Sequence, residues 1–250
     1  MSTNILCDYI EKLLSENYSS CGVLSDSQIN HIEVFSKKQS GQKILKIQTY
    51  NRNDEVFRIL RDLFIPQTPQ IFEICSNDDC CVVLEEFIEG KTLFSLLQKK
   101  HTLPPETACR YAQDVCKALS VLHSNEIIHR DVKPSNIIIT PQDTAVLIDF
   151  SIARLKSEEK PKDTLNLGTA GYAAPEMFGI SQSTPATDIY ALGITLNEML
   201  TGVHPSIDTP NGRLGKIISR CLSMQMSKRF ESAEVLSRAL SRCNKRIKNE

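Results

Sequence analysis

The 250-residue sequence has no run that approaches the roughly 18 consecutive apolar residues of a membrane-spanning helix. Its first residues also lack the basic-then-apolar order of a secretory signal peptide. The net charge is -1, and the sequence contains no large acidic or basic block. The short basic stretch over residues 238–248 is interpreted as a solvated helix end. These absences predict a cytoplasmic protein with neither a membrane nor a nucleic-acid partner.

The cysteines show no C-x-x-C spacing of the kind found in zinc sites and redox pairs. There are nine of them, an odd number, and they are scattered along the chain. We expect them to be reduced and mostly buried thiols. The adjacent Cys80 and Cys81 leave a redox switch open as an alternative, although successive residues of a strand point to opposite faces.

The pattern of apolar residues changes twice along the chain. Helical spacing over residues 4–14 predicts an amphipathic helix that packs on the following segment, with docking to a partner as the alternative. Short apolar runs between residues 21 and 87 predict a small antiparallel sheet, interrupted by a helix over residues 54–64. Later residues predict mainly helices, over residues 92–100, 105–124, 188–201 and 215–243, the last broken near Ser227. The fold class is therefore α+β, with predicted regions 1–20, 21–88 and 89–250.

Three segments carry the strongest signals. Residues 129–136 read His-Arg-Asp-Val-Lys-Pro-Ser-Asn, residues 148–151 read Ile-Asp-Phe-Ser after a short apolar run, and residues 168–176 end in Ala-Pro-Glu. In this order they resemble the catalytic loop, the D-F-G element and the end of the activation segment of eukaryotic-type serine/threonine protein kinases, particularly bacterial ones. The resemblance covers roughly residues 21–243 and implies a bilobal kinase fold, with a sheet in the N-lobe and a mainly helical C-lobe.

The resemblance implies a role for four residues of the catalytic loop and the D-F-G element. A phosphoryl transfer needs a carboxylate that accepts the attacking hydroxyl's proton, a cation near the migrating group and oxygen ligands for a metal. Asp131 is the expected proton acceptor, and Lys133 the expected cation. Asn136 and Asp149 are expected to bind Mg²⁺ (or Mn²⁺), with ATP as the phosphoryl donor. Lys133 also favours serine or threonine acceptors over tyrosine.

Other residues of the resembling segments have structural or regulatory expectations. Glu176 is expected to pair with a late arginine, Arg229, and Asp188 to brace the catalytic loop. An arginine beside the catalytic aspartate is typical of kinases whose activation segment is ordered by phosphorylation. We therefore expect autophosphorylation on Ser157 or Thr164, with Thr169 as the weaker candidate because that threonine usually contacts the catalytic aspartate.

The N-lobe departs from the family pattern more than the C-lobe does. It has no G-x-G-x-x-G, and only Gly22 is present between residues 21 and 35, so residues 25–30 are expected to grip the ATP phosphates weakly. Two departures lie later in the chain. Ser151 replaces the glycine of D-F-G, which restricts the backbone there, and the short stretch over residues 202–214 implies reduced or different substrate docking.

Lys46 lies within an apolar strand and fits the lysine that contacts the α- and β-phosphates in the family. Its usual carboxylate partner on the next helix is missing, since the alignment places Val56 at that position and Glu55 one residue away. A buried carboxylate needs a counter-charge. We predict that Glu85 is the partner of Lys46, and Glu55 is the alternative if the helix alignment is shifted.

The segment before Gly90 is expected to line the nucleotide pocket. Counting back from that glycine places Glu85 at the back of the pocket, and places Glu86 and Ile88 where their backbone would meet adenine. The leading hypothesis is an active kinase with a protein substrate, and self-association is expected for autophosphorylation. The alternative is a pseudokinase that serves as a protein-binding scaffold, which the degenerate phosphate loop favours.

Overall fold

The computed structural model describes residues 3–50, 54–77, 79–156, 169–178 and 182–247. The chain divides into two compact units. We call residues 1–65 and 69–88 the sheet unit, and residues 66–68 and 89–250 the helical unit. The predicted candidate phosphosites Ser157 and Thr164 lie outside the described residues.

The sheet unit is a five-stranded antiparallel sheet with one helix on each face. Its strand order is β1-β2-β3-β5-β4. The elements are α1 (Thr3–Asn17), β1 (Tyr18–Asp26), β2 (Asn30–Lys37), β3 (Lys43–Thr49), α2 (Asp54–Asp62), β4 (Ile71–Ser76) and β5 (Cys81–Glu86). Strand β1 had no clear sequence signal because eight of its nine residues are exposed, so it lacks the alternation of a half-buried strand.

Helix α1 covers one face of the sheet with its apolar side. Ile10 and Leu14 are almost fully buried there against Ile44, Val82 and Leu84. Removing that apolar surface from water is the main reason for the helix to stay on the sheet, because a helix of this length is marginal alone. The expected packing of the N-terminal helix on the following segment is therefore what the structure has.

A disulfide also joins α1 to the sheet, which corrects the expectation that all cysteines are reduced. Cys7 of α1 is bonded to Cys75 of β4. The two cysteines are 68 positions apart, and no local sequence motif links them. Cys80 and Cys81 are buried and form no disulfide. Burial raises the pKa of the Cys81 thiol to about 12, so that thiol is a poor nucleophile.

Helix α2 packs along β4 on the opposite face of the sheet. The Ser76 hydroxyl on that face donates to Asp54 and accepts from Arg58, both residues of α2. Val83 and Glu85, which alternate with the residues under α1, belong to the same face as Ser76. The two faces of the sheet are thus distinguished by their helices, α1 on one and α2 on the other.

The helical unit contains five helices and several two- or three-residue strands in the described residues. They are β6 (Lys91–Thr92), α3 (Leu93–Lys100), α4 (Pro105–Ser124), β7 (Ile127–Ile128), β8 (Ile137–Ile139), β9 (Ala145–Leu147), β10 (Arg154–Leu155), α5 (Pro185–Thr201), α6 (Gly212–Cys221) and α7 (Ala233–Ile247). The break expected near Ser227 separates α6 from α7. Gly202 follows the last residue of α5, and its φ of 76° suits glycine, whose missing Cβ lets the His101 carbonyl approach closely.

None of the described helices combines the length and the apolar character needed to cross a bilayer.

A buried ion pair ties the segment before α5 to the segment before α7. Arg229 donates from both terminal nitrogens to the two carboxylate oxygens of Glu176, at 2.7 and 2.8 Å. Both side chains are at least 97% buried. Thr187 donates to the same carboxylate, and Arg229 also donates to the Ala186 and Ser223 carbonyls. These contacts satisfy both buried charges, which would otherwise be costly.

Arg229→Met leaves the Glu176 carboxylate buried and uncompensated, and should lower the free energy of unfolding by about 3–5 kcal/mol. Adding Glu176→Gln should recover part of that loss, because the unpaired charge is then removed. Chemical denaturation measures both variants, with the neighbouring exposed Lys228→Met as the control. An Arg229→Met variant as stable as the Lys228→Met control would contradict this account of the pair.

Candidate active site

Two short antiparallel strands bring Asn136 and Asp149 to one edge. In the β8–β9 pairing, Ile137 lies opposite Leu147. The register continues one step further, where the Ile148 N–H donates to the Asn136 carbonyl at 2.9 Å. Asp149 directly follows Ile148 in the chain. The sequence places these two residues 13 positions apart, and the strand pairing makes them neighbours.

The Asp131 carboxylate lies at the centre of a hydrogen-bonded cluster. Oδ2 accepts from the Lys133 ammonium at 2.6 Å and from the Asn136 amide at 2.8 Å. Oδ1 accepts from the Thr169 hydroxyl at 2.8 Å, and Lys133 also donates to that hydroxyl at 2.5 Å. The structure thus brings together Asp131, Lys133, Asn136 and Thr169, in an arrangement that places a positive charge beside a buried carboxylate.

Asp149 takes the left-handed backbone conformation, with a φ of 69°. Its Oδ1 accepts from the Ser151 N–H at 3.1 Å and from the Ser151 hydroxyl at 2.6 Å. Ser151 itself has no positive φ, so the loss of the family glycine strains nothing here. Beside it, Phe150 packs edge-on against the His129 ring at 5.1 Å between centroids. The serine therefore orients the carboxylate, a role that the sequence comparison with D-F-G did not suggest.

Asp188 at the start of α5 fixes the backbone of the catalytic loop. Its carboxylate accepts from the N–H groups of His129 (2.9 Å) and Arg130 (2.7 Å), and from Nε2 of His123 (2.8 Å). Burial alone would raise the pKa of Asp188, but these hydrogen bonds and the nearby imidazoles hold that pKa below its ordinary value. His123 is a partner that the sequence did not reveal, because it is an ordinary residue in the last turn of a helical pattern.

The oxygen atoms of Asn136 and Asp149 suit a magnesium ion. The amide nitrogen of Asn136 is committed to Asp131, so the amide oxygen is the atom left to bind a cation. One carboxylate and one amide oxygen match Mg²⁺, which usually keeps several waters and takes further oxygens from substrate phosphates. The described residues contain no group of three or more His, Cys, Asp or Glu that could hold a metal by itself. A metal here would thus depend on the phosphates as well.

The structure contradicts the predicted pair of Lys46 and Glu85. In the β3–β5 register Lys46 lies opposite Leu84, whereas Glu85 lies opposite Leu45. The two side chains therefore point to opposite faces of the sheet. Lys46 instead donates to the Glu11 carboxylate of α1. Glu11 could not be identified from the sequence, because it is one of the many polar residues on an amphipathic helix.

The remaining predicted residues of the sheet unit are at the end of β5. Glu85 is 3% exposed, on the face that carries α2. The Glu86 N–H donates to the Gln70 carbonyl at 2.8 Å, and the Gln70 N–H donates to the Glu86 carboxylate at 3.2 Å. The N–H of Glu86 is therefore already used within the sheet unit. Ile88 is the last residue of this unit, and its contact with adenine stays a prediction.

The short connection between α5 and α6 contacts the activation segment. His204 Nε2 lies 2.9 Å from the Gly171 carbonyl, and the Tyr172 hydroxyl donates to Glu198 of α5 at 2.6 Å. Both contacts fix residues that precede the Ala-Pro-Glu tripeptide. The shortened stretch over residues 202–214 thus supports the end of the activation segment directly.

Asp188→Asn should lower the free energy of unfolding by about 3 kcal/mol near neutral pH, because two backbone donors and His123 lose a charged acceptor. The folded pKa is lowered, so the contribution of the carboxylate is present above the unfolded pKa of about 4 and is lost as the pH falls further. The stability difference between parent and variant should therefore narrow in acid. Chemical denaturation over a pH series measures it, and a difference independent of pH would contradict the assignment.

Comparisons with known proteins agree with this arrangement. The family model described as protein kinase domain matches residues 21–244. The chain is 42% identical over 175 residues to the serine/threonine-protein kinase PknD of Mycobacterium tuberculosis, covering 70% of this chain and 26% of PknD. It is 30% identical over 207 residues to the serine/threonine-protein kinase PrkC of Bacillus subtilis, covering 78% of this chain and 32% of PrkC. The chain thus spans about a quarter to a third of the length of these relatives.

Proposed function

Because the chain belongs to the protein kinase domain family, we propose that it is a serine/threonine protein kinase that transfers the γ-phosphoryl group of ATP to hydroxyl groups of a protein. One observation carries the proposal. A hydroxyl group, that of Thr169, already donates to Asp131 Oδ1 beside the Lys133 ammonium. An acceptor serine or threonine that replaces this hydroxyl would meet a proton acceptor and a cation in the geometry that the transfer needs.

Asp131 has the clearest proposed role. Its Oδ2 is held by Lys133 and Asn136, which fixes the orientation of the carboxylate. Its Oδ1 then faces the acceptor hydroxyl and takes its proton as the oxygen attacks phosphorus. Lys133, with its ammonium close to both the carboxylate and the hydroxyl, offsets the negative charge of the migrating phosphoryl group.

Asn136 and Asp149 are proposed to hold the Mg²⁺ or Mn²⁺ that accompanies ATP. When bound, the metal neutralises charge on the phosphate oxygens. The protein contributes the orientation of the two ligands. Asn136 is fixed by its bonds to Asp131, and Asp149 is fixed by the two donors of Ser151.

A radiolabelled transfer assay with MgATP and a generic protein acceptor tests the proposal. The parent chain should transfer phosphate, and Asp131→Asn should reduce the rate by a factor of about 10²–10⁴, the usual contribution of a general base. Asp79→Asn, a change at an exposed position in the turn between β4 and β5, is the matched control. Fragment mass spectrometry of the same samples locates any self-modification, including at Ser157 and Thr164. Nucleotide binding without transfer by the parent would favour the scaffold function instead.

Ser151→Ala removes the stronger of the two donors to Asp149 and should weaken metal binding. We expect the Mg²⁺ concentration for half-maximal transfer to rise about tenfold, the lower end of the effect of losing an outer-shell partner. Electron paramagnetic resonance of Mn²⁺ in the presence of ATP measures the same change without turnover. The exposed Ser124→Ala serves as the control. An unchanged metal affinity would show that the Ser151 hydroxyl does not orient Asp149.

The protein substrate, self-association for autophosphorylation and a cytoplasmic location are proposals of the same kind. They are supported by the family and by the finding on membrane-spanning helices in the described residues. The Cys7–Cys75 disulfide would not persist in a reducing cytoplasm. There, α1 would be held on the sheet by its non-covalent contacts alone.

A further inference from the structure

The lysine of strand β3 lies on the face of the sheet that α1 covers. Lys46 lies opposite Leu84, and Ile44 is two residues before it on the same face. Both Leu84 and Ile44 belong to the apolar cluster that buries Ile10 and Leu14 of α1. The face that carries α2 has Leu45 and Ile47 at the corresponding positions of β3. Lys46 is therefore on the face that α1 covers, and the middle of β3 presents only apolar side chains to the face that carries α2.

Lys46 forms an ion pair with a carboxylate of its own unit. Its ammonium donates to Glu11, and its side chain is only 15% exposed, so the pair is largely shielded from water on the lysine side. Glu33 of β2 lies next to Lys46 in the β2–β3 register, on the same face. A second lysine contacts the C-terminal end of α1, since Lys38 donates to the carbonyls of residues 15 and 16 at 2.9 and 3.1 Å. Cations at a helix C-terminus are stabilising.

The turn between β1 and β2, which would have to hold phosphates in the absence of a glycine-rich loop, uses its own N–H groups. The Ser27 N–H donates to the Asn30 carbonyl at 2.9 Å. The Ser27 hydroxyl accepts from the N–H groups of Ile29 (3.3 Å) and Asn30 (3.0 Å). Asp26 adds a negative charge, 3.2 Å from a His31 ring nitrogen. A closed turn with a carboxylate beside it is a poor binding site for a triphosphate.

From these observations we propose that Lys46 is a positioning residue that fastens α1 to the sheet through Glu11, and that it is not a nucleotide ligand. The triphosphate of ATP is then held by the metal and by residues of the helical unit. This inference rests on the proposed kinase function. It replaces the role that the family motif gives to the strand lysine.

The test compares Lys46→Met, Lys46→Arg and Glu11→Gln in the same transfer assay and in thermal unfolding. A thiol reductant is present throughout, so that the Cys7–Cys75 bond does not mask the loss of the ion pair. Lys46→Met should leave kcat and the KM for ATP within about twofold of the parent. Lys46→Met and Glu11→Gln should each lower Tm by about 2–4 °C, the shift expected from the loss of one modest interaction in a chain of this size. The double variant should be no less stable than either single variant, because both remove the same contact.

Lys46→Arg keeps the positive charge. It therefore distinguishes an ion pair with Glu11 from a contact with the nucleotide, even if Lys46→Met folds poorly. It should retain both Tm and transfer, because an arginine can pair with Glu11. A nucleotide ligand would behave differently, since an arginine at a phosphate-contacting lysine changes the geometry of the contact. Lys43→Met, at the exposed lysine on the same strand, is the stability control.

The inference is overturned if Lys46→Arg keeps its Tm but loses transfer a hundredfold, or if Glu11→Gln has no effect on Tm. Asp131→Asn, run in parallel, reports on the proposed function itself. If the parent and Asp131→Asn transfer equally little phosphate, the kinase function fails. The Tm comparison of the Lys46 and Glu11 variants then still decides whether Lys46 fastens α1.

Discussion

The catalytic loop depends on one buried carboxylate, that of Asp188. Two successive backbone N–H groups, those of His129 and Arg130, donate to it from a segment almost 60 residues earlier in the chain. Arg130 takes a positive φ of 71°, a conformation that a non-glycine residue adopts only when its surroundings impose it. The bonds to Asp188 supply that constraint. Asp131 follows directly, so the position of the proposed proton acceptor is set by Asp188, which contacts the loop through the backbone N–H groups before it.

A series of hydrogen bonds also connects this loop to Asn136 and Asp149, the two proposed metal ligands. Lys133 and Asn136 hold one oxygen of Asp131, and the Asn136 carbonyl in turn accepts from the N–H of Ile148, the residue before Asp149. Each of these polar side chains is held by a neighbour that is itself held by hydrogen bonds, so the side chains would need to move little during the proposed transfer. Preorganised charges of this kind are usually the largest contribution to catalysis. Ser151 has a similar effect on Asp149, because its hydroxyl donates to that carboxylate and its backbone does not need the conformational freedom of glycine.

The sequence predicts the helical unit better than the sheet unit for a physical reason. The catalytic loop has its functional residues within eight positions, so the local chain conformation alone brings Asp131, Lys133 and Asn136 together. Residues 105–124 form a helix with the predicted bounds, because a proline opens it and its apolar period is regular. In the sheet unit the decisive contacts join residues that are distant in sequence, such as Cys7 with Cys75 and Glu11 with Lys46. Contacts of this kind cannot be predicted from the spacing of residues within one short segment.

The predicted pairing of Lys46 with Glu85 failed for a reason that applies to strands in general. Side chains alternate between two faces, so an alignment displaced by one residue moves every side chain to the wrong face. The sequence Ile-Leu-Lys-Ile over residues 44–47 is compatible with the lysine on either face of the sheet, since both neighbours of the lysine are apolar. The helices on the two faces of the sheet decide which face each β3 side chain occupies. Helix α1 brings Glu11 and apolar residues to the face of Lys46, and α2 packs on the opposite face. Since α1 lies outside the segment that resembles a kinase, a comparison restricted to that segment omits the partner that determines where the lysine points.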